Sequence, residues 1–434
     1  MRILIAACCQ KENRCPKLLL FPAVLGSRRE VALSLGQLAA LTPDGYQIDV
    51  VDEYYHGNID FSKAYDLVAI SSITLHVQRS YDVADEFRKR GIPVVLGGYH
   101  PSALPDEAIQ HADAVVVGEA ELTWPKLLKD FERGTMKSFY YQREPIDSKL
   151  IPPIKRGQEL DFYCTGVQAT RGCPHRCRFC SVQNIEGGDI RKRSVEYVIN
   201  EIKSMSNNFF FADASLTIDP DYTKALFMEL EKLNKHFECF GNINILSKDD
   251  ELLRLSKNAG CNSWWIGFES VSQQSLDSVG KTSNRVEHYS AAIKKIRDYG
   301  ITVKGLFVFG FDYDKLDIFD KTLNLLYEWD VDHAAFLILT PCPGTPLFNK
   351  LEKEGRILTK DWSKYDFGHV VFEPKNMSKD ELWDGTRSIA KEFFSFSNIM
   401  RRIFVNNKDF YSFSSSIVSD FIIDRFFNKR DYFF

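Results

Sequence analysis

Two series of short apolar runs, each run separated from the next by an amphipathic stretch, constrain this chain more than any other feature. In the first series "RILIAACC", "YQIDVVDEYY", "YDLVAISSIT", "IPVVLGGYH" and "ADAVVVGEAE" read as strands, with helical patterns such as "REVALSLGQLAALTP" and "HVQRSYDVADEFRKRG" between them. Continuous Val/Ile/Leu runs alternating with helices describe a parallel sheet covered on both faces. The expected fold of residues 1–145 is therefore a flavodoxin-like, doubly wound α/β sheet. Ligands of such sheets bind beyond the carboxyl ends of the strands. Those ends carry Ser71, Ser72 and Thr74, then Gly97, Gly98 and His100, then Gly118 and Glu119. Glycine there lets a flat ligand approach the backbone.

"EPIDSKLIPPIKRGQELDFY" has a Pro pair and few periodic apolar residues, and residues 146–164 read as a linker. The second series follows: "GVQAT", "NFFFADA", "ECFGNINI", "SWWIGFES", "TVKGLFVFG" and "HAAFLILT" alternate with five amphipathic stretches. Six strand–helix units predict an open barrel over 165–345, with its active site at the carboxyl ends of the strands. From 346 the rhythm is lost, and 346–434 is expected to form a mainly helical extension.

Composition excludes several classes. The net charge of -4 over 434 residues, without a basic run, gives no reason to expect a nucleic-acid partner. No uncharged apolar stretch reaches the roughly 18 residues of a spanning helix. Ten cysteines behind an N-terminus that starts directly on a strand are expected to be reduced thiols of a cytoplasmic protein.

The chemistry concentrates in "ATRGCPHRCRFCSV", residues 169–182, right after the first barrel strand. Cys173, Cys177 and Cys180 are separated by three and then two residues. A structural zinc site needs four ligands; three thiolates leave one iron of a [4Fe–4S] cube open to bind another molecule. A zinc site completed by His175 or a distant cysteine is the competing reading, and it would make the chain a zinc-binding interaction protein.

This spacing, with Phe179 before the last cysteine, resembles the radical S-adenosylmethionine (SAM) superfamily. The resemblance implies that the open iron holds SAM and that an electron from the cluster cleaves it to a radical. A "GGYHP" loop and "ADAVVVGEAE" ahead of the barrel resemble the subgroup with an N-terminal cobalamin-binding domain. The segments "GFES", "GK", "FVFGFD", "TPCPGTPLF", "EGRILTKDW" and "VVFEPKNMS" resemble the branch of hopanoid and bacteriochlorophyllide methylases, so the similarity spans about 1–395. It implies three cofactors, [4Fe–4S], SAM and cobalamin, and methylation of an unactivated carbon in an apolar small molecule, a lipid or tetrapyrrole. An electron donor such as flavodoxin or ferredoxin is implied as well. A cyclase or rearrangement enzyme that uses cobalamin without methyl transfer is the enzymatic alternative.

By position in the barrel, the expected SAM contacts are Asp213, Asn244, Glu269 and Ser270, with Gly310 and Asp312 as weaker positions. The cobalamin contacts are expected among Ser71, Ser72, Thr74, Gly97, Gly98, His100, Gly118 and Glu119. The loop after the first strand, "CCQKENRCPK", lacks the histidine that many cobalamin domains place below the cobalt, and His56 has the wrong spacing, so histidine-free cobalamin is predicted. Cys8, Cys9, Cys15, Cys239, Cys261 and Cys342 read as packing or loop residues. In the tail, Val418, Phe421, Ile422 and Phe426 share one helical face. That face is expected either to pack on the barrel or to make a peripheral membrane contact with Arg425 and Lys429.

Overall fold

The computed structural model describes residues 1–10, 33–154 and 166–405. Cys15 and the tail face at 418–426 lie outside them.

The first sheet runs β1 (Arg2–Ala7), β2 (Gln47–Asp52), β3 (Leu67–Ser71), β4 (Val94–Gly97), β5 (Ala114–Val117) and β6 (Phe139–Tyr141). Its order is β2-β1-β3-β4-β5-β6, and every pairing is parallel. The first five strands have the flavodoxin-like order. The sixth, absent from the sequence reading, is a three-residue edge strand too short to show a period. Leu4, Val68 and Leu96 feed one apolar layer while Ile3, Leu67 and Val95 feed the other, which is why these strands read as unbroken apolar runs.

The second sheet takes β7 (Gly166–Val167), then β10 (Asn208–Phe211), β11 (His236–Gly241), β12 (Cys261–Glu269), β13 (Thr302–Phe309) and β14 (His333–Ile338) in that spatial order. All its pairings are parallel. A small antiparallel pair, β8 (Thr170–Arg171) with β9 (Arg191–Lys192), flanks the cysteine loop. Helix starts follow local chemistry. Asp219 caps Pro220–Leu230, which has Pro in its first turn, and Ser378 with Glu381 forms a capping box on Lys379–Phe393.

The segment after 345 joins the two units. Phe348, Trp362, Tyr365 and Val371 are buried in the core of the first sheet, whereas Phe372, Leu382, Ile389 and Phe393 are buried in that of the second. Among the described residues no helix is long and apolar enough to cross a membrane.

Candidate active site

The three cysteines occupy the loop between β8 and the short helix Val182–Glu186. Gly172 enters it at φ 88°, and a Cβ there would lie 2.0 Å from the carbonyl oxygen of Asp189, so the turn requires glycine. Glu186 accepts the Gly172 N–H at 3.0 Å, while Gln183 Nε2 donates to the carbonyls of Cys173 and His175 at 3.0 and 2.7 Å. Arg178 N–H reaches Val279 O at 2.8 Å, and Leu347 N–H reaches Arg178 O at 2.9 Å. The loop is thus held from its own helix, from the segment after β12 and from the segment after β14.

All three cysteines are free thiols and half-buried. Burial pushes Cys173 and Cys180 up and Cys177 to about 11, and the Lys281 ammonium opposes each of these rises. Lys281 Nζ sits 2.8 Å from Glu269. Burial works against its charge, but Glu269 and Cys177 outweigh it and hold the ammonium above its usual range. Three thiols with a fixed cation beside them suit a cluster whose ligands must be thiolates. Among the described residues no three His, Cys, Asp or Glu side chains converge closely enough for one metal ion.

The positions expected at SAM divide into two kinds. Asn244 follows β11, and its Oδ1 is buried with no partner among the described residues. Glu269 ends β12 at φ 63°, a left-handed conformation rare outside glycine, and the β12–β13 register shifts between Gly267 and Glu269. Such strain clusters at functional sites. Ser270 Oγ accepts from Ser272 N–H at 3.1 Å. Asp213 is spent internally: its carboxylate takes the N–H groups of Ala169 and Thr170 and the Thr170 hydroxyl, tying the start of the cysteine loop to β10. Burial raises its carboxyl to about 7. Asp312 pairs with Lys350 at 2.6 Å and Arg356 at 2.9 Å, and Gly310 packs on Leu382, so both serve the junction with the C-terminal segment. Asp314, which the sequence reading passed over, accepts from Gly310 N–H, Phe311 N–H and Ser275 Oγ and organises the loop after β13.

At the other pole, a cavity of ≈ 250 Å³ lies between the carboxyl ends of β3–β5 and the barrel's first loop. Ser71, Gly97, Gly98, Gly118 and Glu119 line it, as do Arg171, Glu186 and Arg193 from the barrel side. Gly98 (φ 94°) has Ser72 N and O 2.8 Å from where a Cβ would be, so a side chain would disturb this floor. Ser72, Thr74 and His100 do not line the cavity. Ser80 Oγ donates to Ser72 Oγ, and the fully buried His100 imidazole contacts Thr74 Oγ1 and Glu107, beside Trp362. They follow the strand ends, Thr74 on the turn Thr74–His76 and His100 on the short helix Tyr99–Ala103, and these elements direct them into the packing around Trp362 instead. Glu119 is engaged too, with Arg171 and Arg191 both at 2.8 Å. His56 is exposed, as expected, and Cys8, Cys9, Cys239, Cys261 and Cys342 are buried.

Three buried polar atoms of cavity-lining residues have no partner among the described residues: Gln37 Nε2, Glu121 Oε2 and Arg193 Nε. An apolar cavity with a few orphan donors and acceptors has the character of a ligand site.

Residues 167–326 match the radical SAM superfamily model, and 46–128 match the B12 binding domain. The bacteriochlorophyllide d C-12(1)-methyltransferase of Chlorobaculum tepidum is 32% identical over 86% of this chain and 84% of its own length. The chain belongs to the cobalamin-binding radical SAM family. A bacteriochlorophyllide d C-8(2)-methyltransferase of the same organism is 34% identical over 79% of this chain and 80% of its own length. The fold of this family member is that of the cobalamin-dependent SAM radical enzyme OxsB, solved with aqua-cobalamin and SAM. There the TM-score is 0.70 at 15% identity, over 97% of this chain and 72% of that one. The family's cofactors are a [4Fe–4S] cluster, SAM and cobalamin, and the donor sets above suit them. Lys281, Gln183, Glu186, Glu121 and Arg191 were not singled out from sequence. Lys281 does stand in the quoted "GK" and Glu121 in "GEAE", but nothing in either motif reveals their long-range partners.

Proposed function

We propose that this chain is a cobalamin-dependent radical SAM methyltransferase acting on an unactivated carbon of an apolar small molecule, a lipid or a tetrapyrrole. The observation that carries the reading is the near full-length likeness to two bacteriochlorophyllide methyltransferases. When bound, SAM with the cluster supplies hydrogen-atom abstraction and cobalamin supplies a methyl group.

The chain's own residues bind and orient. Cys173, Cys177 and Cys180 hold the cluster, and Lys281 offsets part of the thiolate charge. Asn244, Glu269 and Ser270 contribute to the SAM site, and Ser71, Gly97, Gly98 and Gly118 form the cavity floor for cobalamin. The domain limits follow as 1–145 for cobalamin, 146–164 for the linker, 165–345 for the barrel and 346–434 for the extension. A flavodoxin or ferredoxin serves as electron donor.

The test is anaerobic reconstitution with iron, sulfide, hydroxocobalamin and trideuteromethyl-SAM, followed by incubation with lipid and pigment extracts. Mass spectrometry should find a trideuteromethyl group in one lipid or pigment species. Abundant 5′-deoxyadenosine without any labelled product in either extract would refute methyl transfer to such substrates.

A further inference from the structure

The cysteine loop hangs at both ends from the first domain. On its entry side Arg171, two residues before Cys173, reaches Glu119 at 2.8 Å and Glu121 at 2.7 Å. On its exit side Arg191 bonds Glu119 with Nη1 and the carbonyl of Glu186 with Nη2, and Glu186 is the residue that receives the Gly172 N–H. The side chains of Glu119 and Glu121 are 4% and 2% exposed, and both arginines 12%, so the quartet is almost free of water. Two carboxylates meet two guanidiniums, and the group is balanced.

Buried ion pairs add little net stability over apolar packing of the same volume, because both partners lose hydration; their best-attested role is fixing register. Here the register is between the β5 loop of the cobalamin domain and the loop that holds the cluster. Glu121 connects them further. It lines the cavity, and its Oε2 is buried without a partner while Oε1 grips Arg171. A group bound in the cavity therefore meets the carboxylate that holds the cysteine loop.

We propose that Glu119 and Glu121 are positioning residues that set the cluster loop through Arg171 and Arg191 and make its order respond to cobalamin. The inference rests on the family's use of both cofactors. Coupling between two sites is reciprocal and typically amounts to about 5–150-fold.

The experiment follows hydrogen–deuterium exchange of the full chain carrying its reconstituted cluster, with and without hydroxocobalamin. In the wild type, cobalamin should slow exchange in peptides covering 170–186 by about fivefold or more. In Glu121→Gln, cobalamin should still bind but its effect on that loop should fall to less than twofold. Arg171→Gln, which removes the cation whose Nη1 bridges Glu119 and Glu121, should lose most of the effect as well. Peptides from β12 and β13 serve as the internal reference for folding, and unchanged exchange there separates lost coupling from unfolding. If both variants unfold, Glu119→Gln, which removes the carboxylate charge that Arg171 and Arg191 share and so frees both ends of the loop, takes their place with the same expectation. A wild-type loop indifferent to bound cobalamin, or a full response in folded Glu121→Gln, overturns the inference. Failure of the wild type to bind cobalamin at all would instead overturn the cofactor reading beneath it.

Discussion

Asp213→Asn separates the cost of burying a carboxylate from the value of the bonds it accepts. The wild-type side chain takes three donors, the N–H groups of Ala169 and Thr170 and the Thr170 hydroxyl. Asn keeps the shape but offers one acceptor oxygen, so its amide N–H confronts a backbone N–H, at about 1–3 kcal/mol for the group left unsatisfied. Against this, burial raises the Asp213 carboxyl from 3.8 to about 7. A folded-state value above the unfolded one means that the folded chain binds the extra proton. The stabilising contribution is then full below pH 4 and is lost as pH rises through 7. At 1.36 kcal/mol per unit the whole loss is about 4 kcal/mol, of which about 2.5 falls between pH 5 and pH 8. The asparagine amide does not titrate. Urea unfolding of the apoprotein at pH 5 and pH 8, followed by circular dichroism, should therefore show the Asp213→Asn variant clearly weaker at pH 5 and close to wild type, or above it, at pH 8. An equal deficit at both pH values would refute the account of Asp213 as a buried group ionising near neutrality.

Three further outcomes are expected. Changing Cys173, Cys177 or Cys180 to Ala should remove most bound iron and all 5′-deoxyadenosine formation without changing the circular dichroism spectrum; full SAM cleavage in any one variant would contradict the cluster assignment. Gly172→Ala forces a left-handed alanine, about 1–2 kcal/mol, and a displaced Asp189 carbonyl, so iron retention on gel filtration should drop severalfold while the first domain still binds hydroxocobalamin. Bound cob(II)alamin should show no nitrogen hyperfine splitting from an axial protein ligand in its paramagnetic resonance spectrum. Splitting from one strong nitrogen would contradict this and direct attention to His76, which burial holds neutral, with its value lowered to about 4, and whose Nδ1 lacks a partner among the described residues.

Much of the fold was legible because its signals are local. A strand buried on both faces is apolar at nearly every position, so β1, β3, β4 and β5 announced themselves. The barrel strands alternate instead, as His236–Gly241 with Glu238 and Thr302–Phe309 with Lys304 show, and were read from their spacing between amphipathic stretches. β6 gave no signal, since three residues carry no period. The C-terminal segment was read as an extension because its apolar residues lack a single rhythm; in the structure they serve two cores in turn, Trp362 in one and Phe393 in the other.

The sequence by itself determined the chemistry that a short spacing can encode: three thiols in eight residues after a strand, and glycines at strand ends where a ligand approaches the backbone. Only the tertiary structure decided which residues after the strands line the cavity and which are packed away from it. His100 and Thr74 pack beside Trp362 and Glu107, Asp213 is consumed by Ala169 and Thr170 at the start of the cysteine loop, and Asn244 Oδ1 has no partner among the described residues. Likewise Glu119 meets Arg171 across 52 residues and Arg191 across 72. Pairings of that length depend on how the two sheets pack together, and no local pattern of residues contains that information.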